Sequence, residues 1–335
     1  MSSPTRRRFL SFAAASPAAG AAAQIIGGGA GWSIRGTDPV EIFQGERRVA
    51  AYRSGYPQGL PFLDPIVGPT GALFTAPLPP GEVGAEPGGD GGPAGALTGL
   101  WFALDGVNGR DFHPAPQGAN PGRMRGRIVH TGMNGVLMQG NTLTIRLKSE
   151  WMAAMDGGDE VRRVCSDRRE LVFSQARDGA LVVDFLVELM ADAGDLEIEP
   201  GAGALSLRLH PGLVWKEGGE VSLRNSEGLA DGLVPGKRAR WIACQGADAK
   251  GGPVGLAAMD HPGNPGAPAS WNLDGEGVLS ADPQARSDED EDDGDEALRH
   301  VPNGESRTFR YRLLLHAGAT DPEGVAAAWE SFAGN

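Results

Sequence analysis

Apolar and polar residues alternate with a period of two in several stretches of the chain. In "TLTIRLK", Leu143, Ile145 and Leu147 share one face, and Thr144 and Arg146 the other. "ALVVDFLVEL" groups Val183, Phe185, Val187 and Leu189. "ALSLRLH" sets Leu205, Leu207 and Leu209 against Ser206, Arg208 and His210. "TFRYRLLLH" aligns Phe309, Tyr311, Leu313 and Leu315. A period of two is that of a half-buried β-strand. Turn-forming stretches such as "ARDGA" and "RNSEG" separate the runs, and no strand–helix–strand alternation appears. The pattern predicts an all-β protein, with a dozen or more strands in two antiparallel sheets packed face to face as a sandwich. One helix is predicted, in "TDPEGVAAAWESFAGN". Asp321 caps it, Pro322 lies just inside, Gly334 ends it, and Val325 and Trp329 face the sandwich.

The first strand signal is "RRVAAYR" near Val49. Residues 24–46 therefore read as a lead-in, and residues 47–335 as a single β-sandwich domain. Two loop insertions interrupt it, at 77–96 and 285–299. The first is rich in Gly and Pro. The second carries the acidic run "SDEDEDDGDEA". Asp288, Asp290 and Asp292 alternate there as in a calcium loop, but Asp293 stands where that turn needs Gly, and no helix signal precedes it. A solvated insertion is the simpler reading. Both insertions are expected to be mobile and dispensable.

The amino terminus adds an address. Arg6, Arg7 and Arg8 precede Phe9 and Leu10, an Ala-rich stretch follows, and Ala21, Ala22 and Ala23 offer a small-residue cleavage site before Gln24. Residues 1–23 have the pattern of a twin-arginine signal, which implies a periplasmic or extracellular protein. No run reaches the ~20 apolar residues of a membrane span. The formal net charge of −13 falls to −16 once the three arginines are removed. Such a surface repels phosphate backbones, so nucleic acid is excluded as a partner. Neutral ligands or cations suit it better. An exported chain permits a Cys165–Cys244 disulfide, but both cysteines sit in strand-like runs and also read as buried free thiols.

Four segments read together as one family. They are "LPFLDPIVGPTGALFT" at 60–75, "GLWFALDGVNGRDF" at 99–112, "GPVGLAAMDHPGNPGAPASW" at 252–271, and "RYRLLLHAG" at 310–318 with its closing helix. In combination they resemble the PmoA-like family, across most of residues 47–333. The family's name suggests methane oxygenation and misleads. The resemblance implies an exported, β-rich domain from polysaccharide-degrading bacteria, with a large sandwich similar to galactose mutarotase. The chain also departs from that family. Gly95, Ala96, Leu97 and Thr98 stand where its members carry a His-rich segment. Gly201, Ala202 and Gly203 replace a Lys-Glu-Gly, and Asn272 replaces a His. None of these replacements ligates zinc or iron usefully. The reading is therefore of a site with no metal and no cofactor, in a divergent and catalytically degenerate member.

The remaining chemistry gathers on two segments. His261 is the candidate general base or ligand donor, with Asp105 or Asp111 as its carboxylate partner in proton transfer. Trp101 and Trp271 are candidate apolar plates for a sugar ring, beside Asn108, Asp260 and Asn264 as hydrogen-bonding groups. Each has a structural alternative. Trp101 in "GLWFAL" suits a core, Asn108-Gly109 suits a tight turn, and His261 suits a loop tie. Strand ends of a sandwich cluster at its poles, so the two segments are expected to form one shallow, metal-free pocket. The function read from the sequence is binding, or non-redox processing, of a carbohydrate or other neutral small molecule. The alternative is a scaffold sandwich with no small-molecule site.

Overall fold

The period-two runs pair into two large sheets. The computed structural model describes residues 26–27, 31–55, 59–76, 98–114, 123–155, 160–199, 203–285 and 296–334. Residues 1–23, read above as a twin-arginine signal, the insertion at 77–96 and residues 287–295 of the acidic run lie outside them. From edge to edge the first sheet runs Ile26–Gly27, Trp32–Arg35, Val40–Gln44, Arg47–Arg53, Phe62–Ile66, Leu100–Leu104, Gly203–Arg208, Val278–Asp282, Ser270–Leu273 and Lys237–Arg238. The second runs Ser222–Asn225, Trp241–Ala247, Pro253–Asp260, Ser306–Ala317, Leu181–Met190, Val161–Gln175, Thr142–Ala154, Met124–Gln139 and Arg110–Asp111. All pairings between these strands are antiparallel except the short one between Arg110–Asp111 and Met124–Gln139.

Alternation decides what each strand buries. Leu143, Ile145, Leu147 and Trp151 point inward from one strand of the second sheet, and Phe309, Tyr311, Leu313 and Leu315 from another. They join residues of the first sheet in one continuous core. Phe102 meets Phe309 across the interior at 5.1 Å between ring centroids, and Trp32 meets Phe173 at 6.2 Å. The outer face of the second sheet has its own apolar patch, of Trp241, Ala243, Ala257 and Met259. The helix Pro322–Ala333 covers it with Val325, Trp329 and Phe332, spaced to share one helical face. Its cap is as read from the sequence: the Asp321 side chain accepts from the Glu323 N–H at 3.1 Å.

Two readings need correction, and one left open is decided. The domain starts before residue 47: Trp32, Ile34, Val40 and Ile42 are core residues on paired strands. "WSIR" and "VEIFQ" are too short to show a clear period, and only their mutual pairing makes them strands. The second insertion is partly built in, because residues 296–299 form a helical turn that buries Leu298, and His300–Val301 pairs with Leu196–Glu197. Of the two alternatives open for the cysteines, the structure has the buried free thiols: Cys165 and Cys244 are both free and buried. Their strands are separated by Pro253–Asp260, Ser306–Ala317 and Leu181–Met190. At ~4.8 Å per strand step the two strands alone lie roughly 19 Å apart, and the registers set Cys244 level with Gln175, well along the strand from Cys165, so the pair is far beyond the ~7 Å limit for a disulfide.

The inner face of Val161–Gln175 also carries a charge pair. Arg169 donates from Nε and Nη2 to the two Asp167 carboxylate oxygens, at 3.0 and 2.8 Å. Trp151 Nε1 donates to the same carboxylate at 2.7 Å, and Arg169 Nη2 reaches the Phe102 carbonyl of the opposite sheet at 3.5 Å. The two side chains are 1% and 0% exposed. Removing one partner strands a buried charge, whereas removing both leaves only apolar volume to refill. Asp167→Ala is therefore expected to cost about 3–5 kcal/mol in denaturant unfolding. Asp167→Leu combined with Arg169→Met should cost clearly less than the single variant. A double variant no better than Asp167→Ala would show that the pair is not the source of the loss.

Candidate functional site

Strand registers bring the two predicted segments to one pole. Leu104 lies opposite Gly203, Ser206 opposite Ser280, and Ser270 opposite Asp282. In the facing sheet, the Asp260 carboxylate accepts from the Ala269 N–H at 2.7 Å, which ties the end of Pro253–Asp260 to the same pole. Between the two segments stands Ile198, which bridges to Val107 and accepts a hydrogen bond from Gln284 Nε2 at 3.0 Å.

The turn after Leu100–Leu104 is held by its own polar groups. Asn108 takes a left-handed φ of 48°, which Asn tolerates better than most residues. Its Oδ1 accepts from the Glu197 N–H at 2.6 Å, and its Nδ2 donates to the Asp195 carbonyl at 3.1 Å. Asp111 accepts from the Gly106 N–H at 3.1 Å and from Arg123 at 3.4 Å. Asp105 accepts from the His113 N–H at 2.7 Å. Burial pushes its carboxyl up to about 6, against the backbone hydrogen bond from His113 and with the help of the Asp111 charge. Trp101 is fully buried and donates from Nε1 to His113 Nε2 at 3.2 Å, where the Ser206 hydroxyl also sits at 3.1 Å. Burial, with Arg125 adding to it, holds the His113 imidazole down at about 4. Asp105 is thus partnered by the His113 backbone N–H, and the His113 imidazole by Trp101 and Ser206. The sequence separates Asp105 from His113 by eight residues and gives no sign of it.

The Pro-rich loop is stitched as firmly. Asn264 donates to Asp260 at 2.6 Å and to the Arg310 carbonyl at 2.7 Å, and accepts from the Arg310 N–H at 2.7 Å. The Asp260 carboxyl is pushed up to about 6 by burial. Arg238 grips the Gly266, Pro268 and Ala285 carbonyls at 2.9, 2.8 and 2.7 Å. Trp271 is buried and donates to the Ala239 carbonyl at 2.8 Å. Of the residues singled out from the sequence, then, Asp105, Asp111, Asn108, Asp260 and Asn264 form internal hydrogen bonds, while Trp101 and Trp271 are core. His261 stands apart from Asp105 and Asp111. It borders a cavity on the outer face of the second sheet, beside Phe332 and Arg310. Among the described residues, no three His, Cys, Asp or Glu side chains gather into a metal-holding group.

Residues 39–330 match a family of unknown function, DUF6807. The chain belongs to that family. No curated protein matches it. In this DUF6807 chain the match begins within the first paired strands and ends inside the closing helix, so it spans the sandwich just described.

A larger opening lies elsewhere. A cavity of about 630 Å³ is bounded by Trp215, Lys216, Glu217, Glu220, Ser222 and Asp231, with Gly218, Gly219 and Gly232 among its other walls. Trp215 follows a short 3-10 turn at Pro211–Leu213 and is half-buried against the core. Asp231 is held in a left-handed conformation, φ 51°, with its carboxylate accepting from the Leu223 N–H at 2.9 Å. The signal for this cavity was present in "VWKEGGE", a tryptophan followed at once by charged residues and glycines, whereas Trp101 is flanked by apolar ones.

Asp105 and His113 pull stability in opposite directions with pH. Asp105 binds its proton more tightly folded than unfolded. Its contribution is full below the unfolded value of 3.8 and is lost as pH rises through about 6. His113 does the reverse: its contribution is present above 6.5 and is lost as pH falls towards about 4. The two offset each other in the whole protein, but a single variant separates them. Going from about pH 7.5 to about pH 4.5, the wild type should gain roughly 1–2 kcal/mol over Asp105→Asn. A stability difference between the two that does not change with pH, measured by denaturant unfolding, would refute the assignment.

Proposed function

We propose that this DUF6807 protein is exported and binds a neutral saccharide in the cavity beside Trp215. One observation carries the reading. Six of the seven tryptophans are buried in the sandwich or under the helix, and Trp215 alone keeps part of its ring accessible while bordering a cavity. Saccharide sites combine an aromatic face for C–H patches with a few polar groups for hydroxyls, in cavities of roughly 300–1,000 Å³. Here Glu217, Glu220, Asp231, Ser222 and Lys216 supply the polar groups. Three carboxylates against one ammonium favour a neutral ligand over an acidic one. The resemblance to the PmoA-like family, on the segments quoted above, supports a carbohydrate-related role, and the twin-arginine pattern supports export.

Calorimetric titration with a panel of neutral oligosaccharides tests the binding. Trp215→Ala is expected to weaken it at least tenfold, about 1.4 kcal/mol, while leaving the fold intact by circular dichroism. Saturable binding that survives Trp215→Ala would put the saccharide site elsewhere and refute the Trp215 cavity, and no binding across the panel would favour the scaffold alternative. Export has its own check. Mass spectrometry of protein from the native host should find a mature chain beginning near Gln24, and an intact terminus at Met1 or Ser2 would refute it.

A further inference from the structure

The imidazole of His261 is held in one tautomer. The Gly263 N–H donates to Nδ1 at 3.0 Å, so Nδ1 carries the lone pair and the proton sits on Nε2. Nε2 is buried and has no hydrogen-bond partner, in a side chain only 9% exposed. The ring meets Phe332 edge-on, 5.1 Å between centroids at 81°, and an aromatic face is at best a weak acceptor. A buried N–H without an acceptor is an exception that asks for a ligand.

Arg310 converges on the same place. One guanidinium nitrogen comes within 3.8 Å of the position a Gly263 Cβ would take, and the Arg310 charge adds to burial in holding the His261 imidazole neutral. The other charges around this cavity are matched. Arg312 pairs with Asp184 at 2.6 and 2.8 Å and lies over the Phe332 ring at 4.8 Å. Arg146 pairs with Glu170 at 2.8 Å. Arg310 has no carboxylate partner among the described residues. The cavity holds about 180 Å³, with Phe332, Val172 and Leu186 as apolar walls. That is the room of roughly six waters, enough for one charged head and a short tail.

We propose that this cavity binds a small carboxylate. Its two oxygens take the Arg310 guanidinium and the His261 Nε2–H, and its apolar end lies against Phe332 and Leu186. The chain's overall negative charge does not forbid this, because charges more than about 8–10 Å away are screened at ordinary salt. Local pairing leaves Arg310 as the unbalanced group. The site is independent of the saccharide cavity beside Trp215 and differs from it in charge balance: the Glu170 and Asp184 carboxylates on its wall are each paired with an arginine, which leaves Arg310, whereas the other cavity has three carboxylates against one ammonium.

The test is an NMR titration of the full chain with propionate, glucuronate and the neutral amide propionamide. Saturable shifts are expected with propionate or glucuronate and none with propionamide. Tighter binding of propionate would identify free short-chain acids as the ligand class, and tighter binding of glucuronate an acidic sugar. Arg310→Gln and His261→Ala should each weaken carboxylate binding at least tenfold, and Trp215→Ala should leave it unchanged. Should His261→Ala fail to fold, Arg310→Gln decides alone, since that side chain is partly exposed and spans no core. Binding unaffected by Arg310→Gln, propionamide binding as tightly as propionate, or no saturable binding of either acid would overturn the proposal. None of those outcomes bears on the saccharide reading, which rests on Trp215.

Discussion

A guanidinium keeps its charge in any protein interior, and Arg169 places one inside an apolar sandwich. That charge constrains what surrounds it. It requires Asp167 two residues away on the same strand face, and the paired carboxylate in turn takes the Trp151 N–H. The remaining reach goes to a carbonyl of the opposite sheet. The interaction thus fixes the side chains of two neighbouring strands and sets one sheet against the other. The sequence around it, "SDRRELVF", has charged residues of both signs on both faces of the strand. A one-residue slip would bring Arg168 and Glu170 inward and turn Leu171 and Phe173 out. Only the observed register gives the buried charges their partners and keeps the apolar residues inside. Replacing such a pair by apolar residues often costs little, so its use here lies in specifying the arrangement more than in raw stability.

The same economy of satisfied polar groups governs the pole. Asp105, Asp111, Asp260 and Asn264 each bind backbone N–H groups or neighbours that would otherwise be buried without partners. The closing helix is fastened into this frame: Trp329 Nε1 donates to the Asp260 carbonyl at 2.9 Å, and Phe332 packs on His261. A carboxylate that holds a turn in place is poorly free to move protons for a substrate. This is why the residues that look most chemical in the sequence are mostly structural here, and why His261, with one ring nitrogen unspent, is the exception.

How much of this was legible depends on what the sequence encodes locally. Period-two alternation and the Asp321-Pro322 cap are local, and they located the long strands and the helix. The strands containing Trp32 and Val40 are too short to show a period and exist through each other. Sheet order is wholly non-local, so nothing in the runs around Cys165 and Cys244 could show that three strands separate them. Tryptophan burial was half legible. "GLWFAL" has apolar neighbours on both sides and "VWKEGGE" has charge on one, which is the difference between a core ring and a partly exposed one. The pairing of Asp105 with His113 required the turn to close, and composition alone cannot show that.

Both cavities obey one constraint. Within a strand, an inward side chain belongs to the core and cannot be offered to a ligand without unmaking a layer, whereas an outward one such as Arg310 faces solvent or the covering helix. A large ring escapes the choice between core and outer face where the chain leaves the strand. His261 is the first residue after Pro253–Asp260, and Trp215 lies in the connection between Gly203–Arg208 and Ser222–Asn225. Each rests one side on rigid structure, Phe332 for the imidazole and the core for the indole, and turns the other toward a cavity. Under both proposals the ring that meets the ligand lies at a strand exit. In the two proposals neighbouring charges set the ligand class: Arg310, which has no carboxylate partner among the described residues, in one case, and Glu217, Glu220 and Asp231 in the other.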